Sequence, residues 1–205
     1  MTPLIIVLGP AGSGRSILLK ELIENAWPAG KQVRTFRLSS DAPTDHPATD
    51  FWTLTEGQAV LPAPGTKDAV ILVSDGRRSV VDQMESLHRA LYGSTHWQIQ
   101  RIVAVLDCTL AHRHAVVAEW YGAAVHFADA VIVMKDGQIV EQGPADIVMN
   151  TPKDDYTKTL LAAAPQPPAR RRTRHDAPED RITGAPVFNF PGGRSAPALR
   201  PLFLP

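Results

Sequence analysis

The 205-residue sequence has a single cysteine, Cys108, so no disulfide can close within the chain. It has no surplus of charge either: Lys plus Arg and Asp plus Glu stand at 21 each, which leaves no global field to draw nucleic acid or an anionic membrane surface. The opening stretch "MTPLIIVLGPAG" has neither a basic leader nor an apolar run long enough for export or for spanning a bilayer. These absences lead to the expectation of a cytoplasmic protein, without nucleic acid among its partners, whose function rests on local sites. At 44% hydrophobic content the length suffices for one core with a tail, but hardly for two full domains.

What is present is a series of apolar runs, "PLIIVLG" (3–9), "VRTFRL" (33–38), "DAVILVSDG" (68–76), "RIVAVLDC" (101–108) and "DAVIVM" (129–134). Continuous β-branched runs of this length fit strands buried on both faces. Helix-like stretches at 15–26, 78–92 and 111–125 alternate with them. That alternation predicts an α/β fold, a three-layer sandwich around a mostly parallel central sheet. Residues 41–66 carry four prolines and two glycines with little periodicity and read as a long surface loop. Nine of the eighteen prolines lie from Pro165 onward, with the basic run "ARRRTRH" (169–175) at the front of that stretch. The division expected is a domain over 1–164 and a Pro/Arg-rich, partly disordered tail over 165–205, with the basic run a solvated one.

The most informative stretch is "GPAGSGRS", residues 9–16: Gly9, Pro10, Ala11, Gly12, Ser13, Gly14, Arg15 and Ser16. It meets the phosphate-loop pattern G-x-x-x-x-G-K-[ST] at every fixed position but the lysine, which is Arg15. Glycines are needed there because successive N–H groups must turn inward around a phosphate without side chains in the way. The helix that follows adds its partial positive charge, and Ser16 stands where a magnesium ligand would. The fold expected is therefore that of the P-loop NTPases, with a nucleoside triphosphate and Mg²⁺ as ligands. Arg15 keeps the charge but spreads it over a planar fork. It is expected to reach a phosphate oxygen while placing charge less well on the bond that breaks, giving slow hydrolysis.

Asp75 and Asp107 both end apolar runs, where a carboxylate can hold a magnesium-bound water beside the loop. Either can also simply cap the next helix. His112 and His114, two residues apart, would face different sides of a helix and are expected, with His126, to be solvated or packed. Cys108 reads as a small core residue, and Trp120, Tyr121 and Phe127 as cover for the core or a partner face.

With the loop in place, residues 3–137 resemble the CobW-type GTPases in the order of "DAVILVSDG", "RIVAVLDC" and "FADAVIVMKDG". That resemblance implies GTP, with Lys135 and Asp136 near the base; Met134 stands at the position of the family's guanine-reading asparagine, and Val73 at its glutamate. A second resemblance covers 128–165: "ADAVIVMKDGQIVEQGPADIVMNTPKDDYTKTLLAAAP" is similar to the end of the ATP-binding subunit of peptide-type ABC transporters. It implies ATP and a membrane partner, although the signature L-S-G-G-Q is nowhere in the chain. Three readings stand: a CobW-like GTPase with weak turnover, a truncated or degenerate ABC subunit, and a non-catalytic P-loop scaffold. A protein partner or a homodimer is compatible with each.

Overall fold

The computed structural model describes residues 1–25, 33–38, 50–63 and 69–163. In chain order its elements are β1 (Thr2–Leu8), α1 (Arg15–Asn25), β2 (Val33–Leu38), β3 (Asp50–Thr55), β4 (Gln58–Val60), β5 (Ala69–Val73), α2 (Val80–Leu91), β6 (Trp97–Asp107), α3 (Cys108–Arg113), α4 (Ala115–Phe127), β7 (Ala130–Lys135), β8 (Gln138–Pro144), α5 (Ala145–Asn150) and α6 (Asp155–Ala163). The eight strands form one sheet in the order β4-β3-β2-β5-β1-β6-β7-β8. All neighbours are parallel except the two edge hairpins, β3–β4 and β7–β8. This is the mostly parallel α/β sandwich that the apolar runs predict.

β1 shows why such a run has to be unbroken. Leu4, Ile6 and Leu8 enter one core with Phe36, Leu72, Met84, Leu87 and Ala124, while Ile5 and Val7 enter another with Leu18, Leu19, Ile71 and Ile132. All five β1 side chains are fully buried. Each contributes about 1.5–3 kcal/mol by leaving water. On α2, Val80, Met84, Leu87 and Leu91 recur at helical spacing and face the first core. Ser79 starts that helix, its Oγ accepting from the Asp82 N–H at 3.3 Å.

Two expectations need correction. Residues 50–60, expected to lie in a loop, form the β3–β4 hairpin. Trp52 and Ala59 alternate inward there, and Glu56 and Gly57 turn the chain with φ of +52° and +72°, as a two-residue type I′ turn requires. The helix expected over 111–125 is two helices, α3 and α4, broken at His114, whose extended backbone (φ −138°) ends one and begins the other. The tail from 165 onward and its basic run lie outside the described residues.

Candidate functional site at the end of β1

In a parallel sheet the carboxyl ends of the strands, with the loops that follow them, are where ligands settle. β1 lies between β5 and β6, so residues 9–14 are flanked by the turn after β5 and the first turn of α3. Gly12 and Gly14 have φ of +85° and +86°, the left-handed conformation that only glycine takes without strain. A Cβ at Gly14 would fall 3.1 Å from Met134 Cε, and one at Gly12 3.5 Å from Leu110 Cδ1, so β7 and α3 both close on the loop. The first bond of α1 runs from the Leu18 N–H to Gly14 O at 3.0 Å, which leaves the N–H groups of Ser16 and Ile17 at an open helix end. Ser16 is exposed there, while Ser13 is fully buried and its Oγ has no hydrogen-bond partner. Two left-handed glycines with a helix N-terminus behind them are features that an anion cradle uses, while the Ala11 and Ser13 N–H groups of the loop donate to Gly76 O and Pro10 O.

Arg15 is almost completely buried, and its Nη1 donates to Ser74 O, 59 residues away in sequence. The side chain passes between two glycines: a Cβ at Gly9 would meet its Cδ at 2.8 Å, and one at Gly76 would meet its Nη2 at 2.6 Å. The fork lies against the turn that follows β5. The same turn is tied to the loop by the Ala11 N–H, which donates to Gly76 O at 3.3 Å.

Asp75 sits in that turn, buried. Its Oδ1 accepts from the Arg77 N–H at 2.9 Å, its Oδ2 lies 3.2 Å from Arg78 Nε, and its main chain is held by both ends of the Gln83 amide, at 2.6 and 2.9 Å. Asp107 is half-buried and caps α3, its Oδ1 accepting from the Leu110 N–H at 3.1 Å. The phenol of Tyr121 bridges the Asp107 main chain, accepting from its N–H at 2.7 Å and donating to its carbonyl at 3.1 Å. Burial pushes that phenol well above its ordinary pKa, so the bridge keeps its proton. Tyr121→Phe leaves the Asp107 N–H without this partner and should cost about 1–2 kcal/mol, read by urea denaturation; unchanged stability would show the bridge to be idle.

Lys135 and Asp136 are exposed and belong to the β7–β8 turn, where Asp136 and Gly137 have φ of +49° and +79°. An Asp-Gly pair is what a type I′ turn selects, which gives Asp136 a role in the turn itself. The turn does stand beside the loop: a Cβ at Gly137 would lie 3.3 Å from Ile17 Cδ1. Lys135 Nζ lies 4.5 Å over the ring of Tyr156. Met134 is buried in the core under Gly14. Burial, with Asp107 nearby, pushes the Cys108 thiol up to about 12, which suits a core residue. No cluster of His, Cys, Asp and Glu fit to hold a metal occurs among the described residues, His112, His114 and His126 included. The residue that sequence reasoning missed is Gly76, whose place against Ala11 only the fold reveals.

Parts of the chain are similar to ATP-binding proteins of transport systems. Over 47 residues the chain is 53% identical to an oligopeptide transport ATP-binding protein of Mycobacterium tuberculosis, a match covering 22% of this chain and 8% of that protein. Over 74 residues it is 35% identical to a glutathione import ATP-binding protein of Salmonella typhimurium, covering 36% and 12%, and over 69 residues 33% identical to the Escherichia coli K12 protein of that name, covering 34% and 11%. The chain thus matches only about a tenth of the length of these relatives. The likeness is to ATP-binding subunits of transporters, and the CobW resemblance finds no support in it. No family profile matches the chain. No solved structure matches it. No helix among the described residues is long and apolar enough to cross a membrane.

Proposed function

We propose that the chain is a nucleoside-triphosphate-binding protein of the kind found in ABC transporter ATP-binding subunits, taking ATP rather than GTP, and turning it over slowly. The observation that carries the reading is the cradle at the end of β1, where Gly12, Gly14 and the start of α1 converge. The partial likeness to transport ATP-binding proteins supports the choice of nucleotide. It also supports a cytoplasmic position beside a membrane-embedded partner.

The donor set fits a phosphate with a divalent cation. Main-chain amides and the buried Ser13 hydroxyl suit phosphate oxygens, and the exposed Ser16 hydroxyl with the Asp107 carboxylate suits magnesium. Magnesium, when bound, neutralises phosphate charge. Asp107 is the better placed carboxylate, because only its Oδ1 is engaged in the cap, whereas both oxygens of Asp75 are engaged within its turn. With Asp75 so committed, and residue 76 a glycine, the β5 side offers no carboxylate to activate a water. Native turnover is expected well below about 1 per second.

Calorimetry with Mg·ATP and Mg·GTP tests the reading. The native chain should bind ATP in preference, and Gly14→Val should weaken that binding at least about tenfold, roughly 1.4 kcal/mol. The valine must adopt φ near +86° and crowd Met134. Equal affinities in the native chain and the variant would refute the cradle.

A further inference from the structure

We propose that Arg15 is an internal competitor for its own phosphate loop and couples phosphate binding to the turn after β5. The inference rests on the nucleotide-binding reading above and adds a regulation to it. Three observations carry it. The guanidinium donates to Ser74 O, and it is nearly completely buried there. Its path exists only because residues 9 and 76 are both glycine, since a Cβ at either would lie within 3 Å of the side chain. The arginine is thus built into the fold, with clearance from two separate segments.

The third observation is where the turn leads. Arg15 and the Ala11 N–H tie the loop to Ser74 and Gly76. From the turn, Gln83 of α2 grips the Asp75 main chain, and the indole N–H of Trp120 on α4 donates to Arg78 O at 3.0 Å. A guanidinium binds a phosphate oxyanion more strongly than it binds a neutral carbonyl. A triphosphate entering the cradle therefore draws Arg15 off Ser74 and loosens that tie. The change passes through the turn to the α2 and α4 contacts. The internal bond lowers affinity, because part of the guanidinium's interaction with phosphate is offset by losing Ser74.

Trp120 is a built-in reporter, and its contribution is the difference between the native chain and Trp120→Phe. Mg·ATP at saturation should shift the emission of the native chain, and Trp120→Phe should abolish that shift. Arg15→Lys keeps the charge on a shorter, unforked stem. It should bind Mg·ATP at least about fivefold tighter, the lower end of usual coupling between sites, and should show no Trp120 shift. Native-like or weaker binding by Arg15→Lys, or a Trp120 shift that persists in it, would overturn the competitor role while leaving the cradle standing. Failure of both the native chain and Arg15→Lys to bind would overturn the nucleotide reading itself.

Discussion

Gly76→Ala is expected to weaken Mg·ATP binding at least about thirtyfold, roughly 2 kcal/mol, although residue 76 need touch no nucleotide. The added methyl would stand 2.2 Å from Ala11 N and 2.5 Å from Pro10 C, distances at which main chain rather than a flexible side-chain tip has to move. It would also meet Arg15 Nη2 at 2.6 Å. The bond from the Ala11 N–H to Gly76 O then breaks, the loop shifts away from the turn, and the amides lose the spacing that suits a phosphate. Gly122→Ala is the control, because a Cβ on that α4 residue meets nothing within 4 Å and alanine favours a helix. Calorimetry and melting curves on both variants check the result. Native-like affinity in Gly76→Ala would mean that the loop and the β5 turn are not locked together.

That dependence separates what the sequence could disclose from what it could not. The loop was legible because its conformation is local: Gly12 and Gly14 supply positive φ wherever the chain folds, and an apolar strand and a helix enclose them. β1, β5 and β7 were legible because burial on both faces fills them with apolar residues, as the full burial of Leu4 to Leu8 illustrates. The direction of Arg15 was not legible, because it is set by Ser74 and Gly76, which only the β1–β5 pairing brings near. The β3–β4 hairpin was hidden for a different reason. Prolines and glycines around residues 41–66 outweighed a short alternation, Trp52 and Leu54 against Phe51 and Thr53, that marks a strand with one face in the core.

The stretch over 128–165 yields a related lesson. Much of what makes it distinctive is architectural. Asp129 bonds both main-chain groups of Ile102, Glu141 accepts from the Lys153 and Asp154 N–H groups, and the Tyr156 hydroxyl bonds Thr109 Oγ1. These residues join β6, β8, α3 and α6 into one edge of the molecule. Their part is to hold that edge together, whereas the phosphate chemistry belongs to the loop.

Trp52→Ala is expected to destabilise the fold by about 3–5 kcal/mol, the usual cost of emptying a buried aromatic site. Trp52 is fully buried in the larger core, and its Nε1 donates to Val73 O at 3.0 Å. It sits on β3, in register with Leu38 of β2, so the hairpin contributes one of the largest side chains in the core. Trp52→Phe separates the two contributions: it keeps most of the apolar volume and leaves the Val73 carbonyl without the indole, for about 1–2 kcal/mol. Val73 is the last residue of β5, directly before Ser74, so the same bond steadies the strand end that receives Arg15. Urea denaturation of the two variants should therefore give two distinct losses, alanine well above phenylalanine, at similar m-values. A loss below about 1 kcal/mol in Trp52→Ala, within the range of surface substitutions, would show that β3 does not belong to the core, and would remove the support that the hairpin is argued to give the β5 turn.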